Sequence, residues 1–270
     1  MKKAFVIAAC LLLILLAACG ADGAADEIIL SVSGDGVSTP AEFSLKELQA
    51  LDDQNLTYST LNNYPSVKYA CAEGCSLAVL LEACGLEDEA TLITVSANDG
   101  FSKTFLRDQL LGDAYFYDLG GNPTAVEPVL AWAYSDDGSK IPQTAEDEDD
   151  LRLVLGQQGP HDPNASVSVR EVSSIEVSCA PATQLAPCSF QKTEDGLVEL
   201  VYENMDVVKL YYTLDGSDPD PLTSEVYNPS TSNFQPELNA PLDLSPGTVV
   251  RAKAVAVGYI DSEISEYVVE

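Results

Sequence analysis

Basic side chains are scarce in this sequence. Its 270 residues include 13 Lys+Arg against 43 Asp+Glu, which gives a formal net charge of −30. A surface this negative is repelled by phosphate backbones, so nucleic acid is not expected as a partner. A high negative charge keeps an exposed protein soluble, but it does not by itself identify a ligand.

Histidine is almost absent, and this restricts the catalytic chemistry open to the chain. The one histidine, His161, precedes Asp162 and lies between Pro160 and Pro163, a composition typical of a surface loop rather than of a general base. The sequence contains neither a phosphate-binding loop nor a dinucleotide-binding glycine motif. It therefore offers no complete set of catalytic residues.

Long apolar runs are also missing, apart from one at the start of the chain. Residues 4–18 are apolar and follow Met1, Lys2 and Lys3. A basic start followed by a short apolar stretch is typical of a secretory signal peptide, which we predict over residues 1–18. The run is short for a bilayer core of roughly 30 Å, so we do not expect it to span a membrane.

Residues 16–20, Leu-Ala-Ala-Cys-Gly, resemble the lipobox of bacterial lipoproteins. The resemblance implies that a diacylglyceryl group is attached to Cys19 and that cleavage leaves this cysteine first. Residues 19–27 would then be a tether to the outer face of the bacterial cell membrane, with the acyl chains as the anchor. The alternative is an ordinary signal peptide in which Cys19 occurs by chance.

Five of the seven cysteines remain once Cys10 and Cys19 are excluded. Thiols outside the cytoplasm tend to form disulfides, and an odd number leaves at least one without a partner in the same molecule. Cys179 and Cys188 lie close together in a proline-containing segment, residues 179–192, which we interpret as a linker. We predict a disulfide between them. The pairing of the other three stays open: Cys71, Cys75 and Cys84.

The regions on either side of this linker differ in their periodicity. Residues 28–178 mix strands with short helices; Ser44 and Glu47 predict a capping box for a helix through about Leu51. Residues 77–83 place apolar side chains on one face of a second helix, whereas the acidic run 146–150 is predicted to be a solvated loop. Residues 193–270 contain short strands separated by turns. The predicted fold class is α+β, a mixed α/β domain followed by a small β-sandwich.

Three blocks of the C-terminal region carry a family resemblance: residues 210–219 (Leu-Tyr-Tyr-Thr-Leu-Asp-Gly-Ser-Asp-Pro), 247–254 (Gly-Thr-Val-Val-Arg-Ala-Lys-Ala) and 258–263 (Gly-Tyr-Ile-Asp-Ser-Glu). In this order they resemble the chitobiase/hexosaminidase C-terminal domain, an immunoglobulin-like sandwich. The resemblance implies an accessory module without catalytic residues of its own. A carbohydrate-binding face would need exposed aromatic rings, for which the candidates are Tyr227, Phe234 and Tyr259.

Four blocks of the N-terminal region carry a second resemblance: residues 43–48, 72–86, 95–101 and 167–177. In this order they resemble the molybdopterin-binding domain of the sulfite oxidase family, in a short extracellular variant. The resemblance implies a sulfite-oxidase-like mixed α/β domain. It also implies a molybdenum ion held by a cysteine thiolate, on a segment upstream of the helix at 77–83.

The cysteine ligand of that family has no counterpart at the matching position. Residues 57–65 contain neither cysteine nor arginine, and Cys71 lies closer to the helix than the resemblance requires. We therefore expect neither molybdopterin nor a metal, and Cys71 is the ligand only if the cofactor is retained. If the family's pocket persists for another ligand, its lining is predicted to be Tyr58, Asn62, Asn98, Asp99 and Gln157.

These features together predict a lipid-anchored, extracytoplasmic binding or accessory protein that is not an enzyme. Its expected partners are the membrane, through the N-terminal lipid, and a small ligand or a surface protein that the sequence does not identify. The enzyme alternative is a molybdenum-cofactor-dependent oxidoreductase. A third hypothesis is a carbohydrate-binding surface protein that uses the C-terminal sandwich.

Overall fold

The computed structural model describes residues 26–62, 66–138, 140–203, 208–228 and 238–270. Cys19 and Phe234 lie outside these residues. The helices are α1 (Leu45–Leu51), α2 (Leu77–Ala83) and α3 (Arg107–Leu111), and a 3-10 turn spans Asn164–Ser166. The strands are β1 (Ile28–Ser33), β2 (Ala41–Ser44), β3 (Gln54–Leu61), β4 (Val67–Ser76), β5 (Leu92–Ala97), β6 (Ser102–Leu106), β7 (Tyr115–Tyr117), β8 (Pro123–Ala125), β9 (Val129–Asp137), β10 (Asp147–Val154), β11 (Val172–Ser178), β12 (Ser189–Lys192), β13 (Val198–Val201), β14 (Lys209–Thr213), β15 (Glu225–Tyr227), β16 (Val249–Val255) and β17 (Ser265–Val268).

Strands β1 to β11 form the first domain. One sheet has the order β2-β1-β11-β5-β6, in which only β1 and β11 run parallel, and a second, antiparallel sheet has the order β10-β9-β4-β3. Strands β7 and β8 form a separate hairpin. The main apolar core joins the two large sheets and includes Leu80, Ile93, Leu153 and Ile175. Burial of each such side chain contributes about 1.5–3 kcal/mol.

The two helices predicted from caps and apolar spacing are confirmed. The Ser44 hydroxyl accepts a hydrogen bond from the Glu47 N–H at 3.4 Å, and the Glu47 carboxylate accepts one from the Ser44 N–H at 2.8 Å, which completes the capping box of α1. Helix α2 covers residues 77–83, as predicted, and buries Leu77, Leu80 and Leu81. The three helices of the described residues are nevertheless short, so the chain is β-rich rather than evenly α+β.

The acidic run 146–150 is largely exposed, as predicted, but it is not a loop, because most of it forms the first half of β10. The backbone pairs with β9, where Asp147 lies opposite Ala133. The guanidinium of Arg152 donates to Glu148 through Nε at 2.8 Å and stacks 4.0 Å from the Tyr134 ring centroid. Sheet pairing and this local ion pair outweigh the low strand propensity of the acidic residues.

The second domain is a sandwich of two antiparallel sheets, β12-β13 and β15-β14-β16-β17. Leu200 from the first sheet packs in one core with Leu210 and Ala252 from the second. The segment predicted as a linker, residues 179–192, is only partly one, because its last four residues are β12. The sequence did not reveal this short strand, since it contains only one large apolar side chain, Phe190.

The predicted disulfide between Cys179 and Cys188 is wrong, and all five cysteines of the described residues carry free thiols. The N–H of Cys179 donates to Asp35 Oδ1 at 2.9 Å, which holds this residue against the first domain. Cys188 is 6% exposed in the core of the second domain, where its carbonyl accepts a hydrogen bond from Ser265 Oγ at 2.6 Å. Packing on two different domains keeps the two thiols apart.

None of the helices in the described ranges combines the length and the apolar character needed to cross a bilayer.

Candidate functional site

Three of the five residues predicted to line one pocket, Tyr58, Asp99 and Asn98, lie in three different places and do not line a common cavity. Tyr58 is fully buried, and its hydroxyl donates to the Glu127 carbonyl at 2.7 Å, so it belongs to the core. Asp99 closes a turn by accepting a hydrogen bond from the Phe101 N–H at 2.8 Å. Asn98 borders a separate cavity of about 460 Å³ near β1, whose rim includes acidic residues of β10.

The other two predicted residues lie close to the boundary between the domains. Asn62 borders a small cavity of about 40 Å³ that His161 and Lys209 also line. Gln157 is buried and accepts a hydrogen bond from the Ser59 hydroxyl at 2.6 Å. Its side-chain amide donates to the Asp162 carbonyl at 3.4 Å. Gln157 therefore holds the loop that follows it, rather than contacting a ligand itself.

A cavity of about 360 Å³ lies between the two domains. Its lining comes from β6, α3 and the loop 158–167 of the first domain, and from β14, residue 221 and residues 255–259 of the second. This volume falls within the roughly 300–1,000 Å³ of small-molecule sites, which often lie at domain interfaces. The lining residues are Lys103, Thr104, Gln109, Gln158, Asp162, Pro163, Ser166, Val167, Lys209, Tyr211, Pro221, Val255, Ala256, Val257 and Tyr259.

Gln109, on α3, connects the two domains at one end of this cavity. Its side-chain amide donates to the carbonyls of Ala256 at 3.0 Å and Tyr259 at 3.2 Å, and its Oε1 accepts a hydrogen bond from the Gly258 N–H at 2.8 Å. One glutamine thus satisfies three backbone groups of the turn that follows β16. The turn is held in place as a wall of the cavity.

A second close approach occurs at Gly159, in the loop of the first domain. A Cβ atom at this position would lie 2.4 Å from the Pro221 carbonyl oxygen of the second domain. Only a glycine allows the two backbones to come this close. The loop and the second domain therefore meet directly beside the cavity.

Asp162 supplies the carboxylate of the site. Its side chain is half-buried, because it forms part of the cavity wall. Burial raises the pKa of this carboxyl to about 6, while a hydrogen bond from the Gln158 N–H at 2.8 Å and the charge of Lys209 act in the opposite direction. Asp162 is therefore mainly ionised at neutral pH, although its surroundings disfavour the charge.

Lys209, the first residue of β14, supplies the opposite charge from the second domain. Burial lowers the pKa of its ammonium group, and the nearby Asp162 carboxylate partly offsets that effect. The charges of the two side chains attract each other, but no N–O contact within 4.0 Å joins them among the described residues. Asp162 and Lys209 thus contribute opposite charges that do not form an ion pair, and Lys103 of β6 adds a second ammonium group to the lining.

Two tyrosine side chains, Tyr211 and Tyr117, lie within the electrostatic reach of Asp162. Burial raises the pKa of Tyr211, and Asp162 adds to the shift by its negative charge. Burial also raises the pKa of Tyr117, to which the neighbouring Tyr115 and Asp162 contribute. Both phenols are therefore neutral hydrogen-bonding groups at physiological pH, not bases. The arrangement can orient a polar ligand, but it contains no histidine base among its lining residues.

The surroundings of Cys71 do not fit a molybdenum ligand. The side chain is 3% exposed on β4, and its Sγ donates to Asn55 Oδ1 at 3.2 Å. Burial raises the pKa of the thiol, and the carboxylate of Glu73 raises it further. A metal requires the thiolate, which this environment disfavours. The described residues also contain no group of three or more His, Cys, Asp or Glu side chains placed to hold a metal ion.

Two of the aromatic residues considered for carbohydrate stacking, Tyr227 and Tyr259, do not share an exposed face. Tyr227 is buried, and its hydroxyl donates to the Asn239 carbonyl at 2.8 Å. Tyr259 is more exposed, but it lines the cavity between the domains rather than an outer surface of the sandwich. The hypothesis of a flat sugar-binding face therefore has no support from these two residues.

In comparisons with known protein families, one segment of the chain matches a family model. Residues 198–268 match the family model described as Fn3 associated. The match covers strands β13 to β17 of the second domain, including Lys209 and Tyr211 of the cavity. A search of curated proteins found no match.

One solved structure with overall similarity is the sulfane dehydrogenase SoxCD from Paracoccus pantotrophus. The two chains share 13% sequence identity, and the alignment covers 85% of this chain and 67% of that one with a TM-score of 0.38. A TM-score this low does not establish a shared fold.

Sequence reasoning missed the residues that form the interdomain site. Asp162 was assigned with His161 to a surface loop; His161 is indeed exposed, whereas Asp162 points into the cavity. No sequence motif marks Lys209 or Gln109, because the role of each residue depends on the contact between the two domains. The only available signal was the position of Lys209, a charged residue at the start of an apolar strand.

Proposed function

We propose that this protein is a non-enzymatic, extracytoplasmic binding protein that holds a small ligand in the cavity between its two domains. The first domain is proposed to be a sulfite-oxidase-like, molybdopterin-binding-type domain without its metal ligand. The second is proposed to be an immunoglobulin-like accessory module that completes the binding site.

The observation that supports this proposal is the pair of partly buried, unjoined charges in the cavity. Side chains such as Asp162 and Lys209 lose hydration on burial, and this costs free energy unless a partner compensates. A ligand that enters the cavity can supply that partner. The mostly apolar remainder of the lining gives such a ligand a surface to bury.

Blocking the cavity tests the proposal. Ser166 is an exposed residue on the cavity wall, so Ser166→Trp should fill the space without disturbing the core. The matched control is Ser33→Trp, at an exposed position at the end of β1. Wild-type protein and both variants are to be screened by thermal shift against amino acids, dipeptides, monosaccharides, nucleosides and small carboxylates.

We expect at least one of these classes to raise the unfolding temperature of wild-type protein and of Ser33→Trp, but not that of Ser166→Trp. Isothermal titration should then give a one-to-one complex that Ser166→Trp weakens by at least about tenfold, since the side chain occupies the ligand's space. Equal responses in all three proteins, or no response in any, would contradict a binding role for this cavity.

The proposed location is the outer face of the bacterial membrane, through lipid on Cys19. Cys19→Ser should move the protein from the membrane fraction to the soluble fraction, because the acyl chains are the proposed anchor. Cys179→Ser, which removes a thiol that is not proposed to carry lipid, should leave the distribution unchanged. Recovery of Cys19→Ser in the membrane pellet after a high-salt wash would show that something else anchors the chain.

A further inference from the structure

The charges in the interdomain cavity indicate the kind of ligand that fits it. We propose that the cavity binds a zwitterion with an apolar side chain, that is, a free α-amino acid or a short peptide. The ligand's ammonium group would face Asp162, and its carboxylate would face Lys209. This inference rests on the proposed function and specifies the ligand class for the same site.

The two charged groups each have capacity for a ligand. The Asp162 carboxylate accepts one hydrogen bond, from the Gln158 N–H at 2.8 Å, through a single oxygen. No described residue accepts a hydrogen bond from the Lys209 ammonium, which can donate three. Since the two groups are not in direct contact, a ligand with charges of both signs can lie between them and pair with each.

Ligands with a single type of charge fit less well. An anion would have to approach a chain with a net charge of −30 and lie close to Asp162. A cation would be attracted to the chain but would meet the ammonium groups of Lys209 and Lys103, which both line the cavity. A zwitterion has no net charge to be repelled, and it compensates both groups at once. Charge-assisted hydrogen bonds of this kind are stronger than neutral ones.

The rest of the cavity suits an apolar side chain. Val167 from the first domain and Val255, Ala256 and Val257 from the second line it, next to the Tyr211 side chain. At about 360 Å³, the cavity is at the small end of the range for ligand sites. An amino acid or a dipeptide is therefore a better match than a long peptide.

The experiment removes one charge at a time from ligand and protein. The probes are L-leucine, L-phenylalanine and alanyl-leucine, with 3-phenylpropanoate (no ammonium), L-phenylalaninamide (no carboxylate) and 3-phenylpropan-1-ol (no charge) as analogues. Affinities are measured by isothermal titration on the full chain, on Asp162→Asn and on Lys209→Met. Circular dichroism and Trp132 fluorescence check that each variant is folded.

We expect at least one zwitterion to bind wild-type protein, and each singly charged analogue to bind at least about tenfold more weakly. In Asp162→Asn, phenylalanine should bind no better than 3-phenylpropanoate. In Lys209→Met, it should bind no better than phenylalaninamide. These matched losses identify which group faces which charge, and a purely structural role for the two residues would not produce them.

The inference is overturned if no zwitterion binds, if the uncharged alcohol binds as tightly as phenylalanine, or if the two variants leave the affinities unchanged. The proposed function survives those outcomes when another class, such as a monosaccharide, binds wild-type protein and Ser33→Trp but not Ser166→Trp. Both fail together if no zwitterion binds wild-type protein and no compound of the thermal-shift screen distinguishes Ser33→Trp from Ser166→Trp.

Discussion

Gln109→Ala is expected to loosen the contact between the two domains and to weaken ligand binding in the cavity. The change removes three hydrogen bonds between Gln109 and the turn that contains Ala256, Gly258 and Tyr259. Each contributes about 1 kcal/mol net, so together they favour the docked arrangement by about 3 kcal/mol. A loss of that size shifts the docking equilibrium by roughly a hundredfold.

The sharpest measurement for this variant is hydrogen exchange at Gly258, whose N–H donates to Gln109 Oε1. Its exchange should accelerate by up to about a hundredfold, while amides within β5 keep their protection. Gln143→Ala is the matched control, since Gln143 bonds only to the nearby Ile141 carbonyl. Unchanged exchange at Gly258 would show that other contacts hold the domains together.

Gly34→Ala is expected to have the largest effect on the stability of the first domain. Gly34 follows β1 with φ of +112°, and a Cβ atom there would lie 2.0 Å from the Val177 carbonyl oxygen. The clash is with the backbone of β11 and cannot be relieved by rotation of a side chain. Overpacking costs about 1–3 kcal/mol, occasionally more, and the positive φ adds about 1 kcal/mol or more.

Gly100→Ala separates the two contributions, because Gly100 also has a positive φ (+88°) but a Cβ atom added there would have no neighbour within 4 Å. It should cost about 1 kcal/mol, against about 3 kcal/mol or more for Gly34→Ala. Chemical denaturation followed by Trp132 fluorescence measures both, since this single tryptophan lies in the core of the first domain. If both variants lost the same free energy of unfolding, β11 would be able to move away from residue 34 with little loss of stability.

The proposed site has a consequence for how binding and domain docking are linked. The carboxylate comes from the first domain and the ammonium from the second, so a ligand that pairs with both stabilises the docked arrangement. Ligand binding and docking should therefore reinforce each other, as required by thermodynamic linkage. Gln109 is therefore a positioning residue. Its replacement should weaken ligand binding although its hydrogen bonds go to the turn of the second domain and not to Asp162 or Lys209.

The sequence by itself determined the elements whose signals are local. The Ser44–Glu47 capping box predicted α1, and apolar spacing predicted α2, because capping and helical periodicity depend on residues only a few positions apart. The alternating strands of the C-terminal region were recognised in the same way. Local signals failed where pairing with a distant strand decides the structure, as for the acidic start of β10 and for β12.

Only the tertiary structure decided the site. The five predicted pocket residues all belong to the first domain. The structure places Tyr58 in a core, Asp99 in a turn and Gln157 beneath a loop, and it places the other two, Asn62 and Asn98, beside two different cavities. Asp162 and Lys209 are far apart in the sequence and lie on different domains, so no periodicity or spacing could relate them. The same reason separates Cys179 from Cys188, which are close in sequence but packed on different domains. Long-range packing sets both results, because it depends on which surfaces bury each other and not on the distance along the chain.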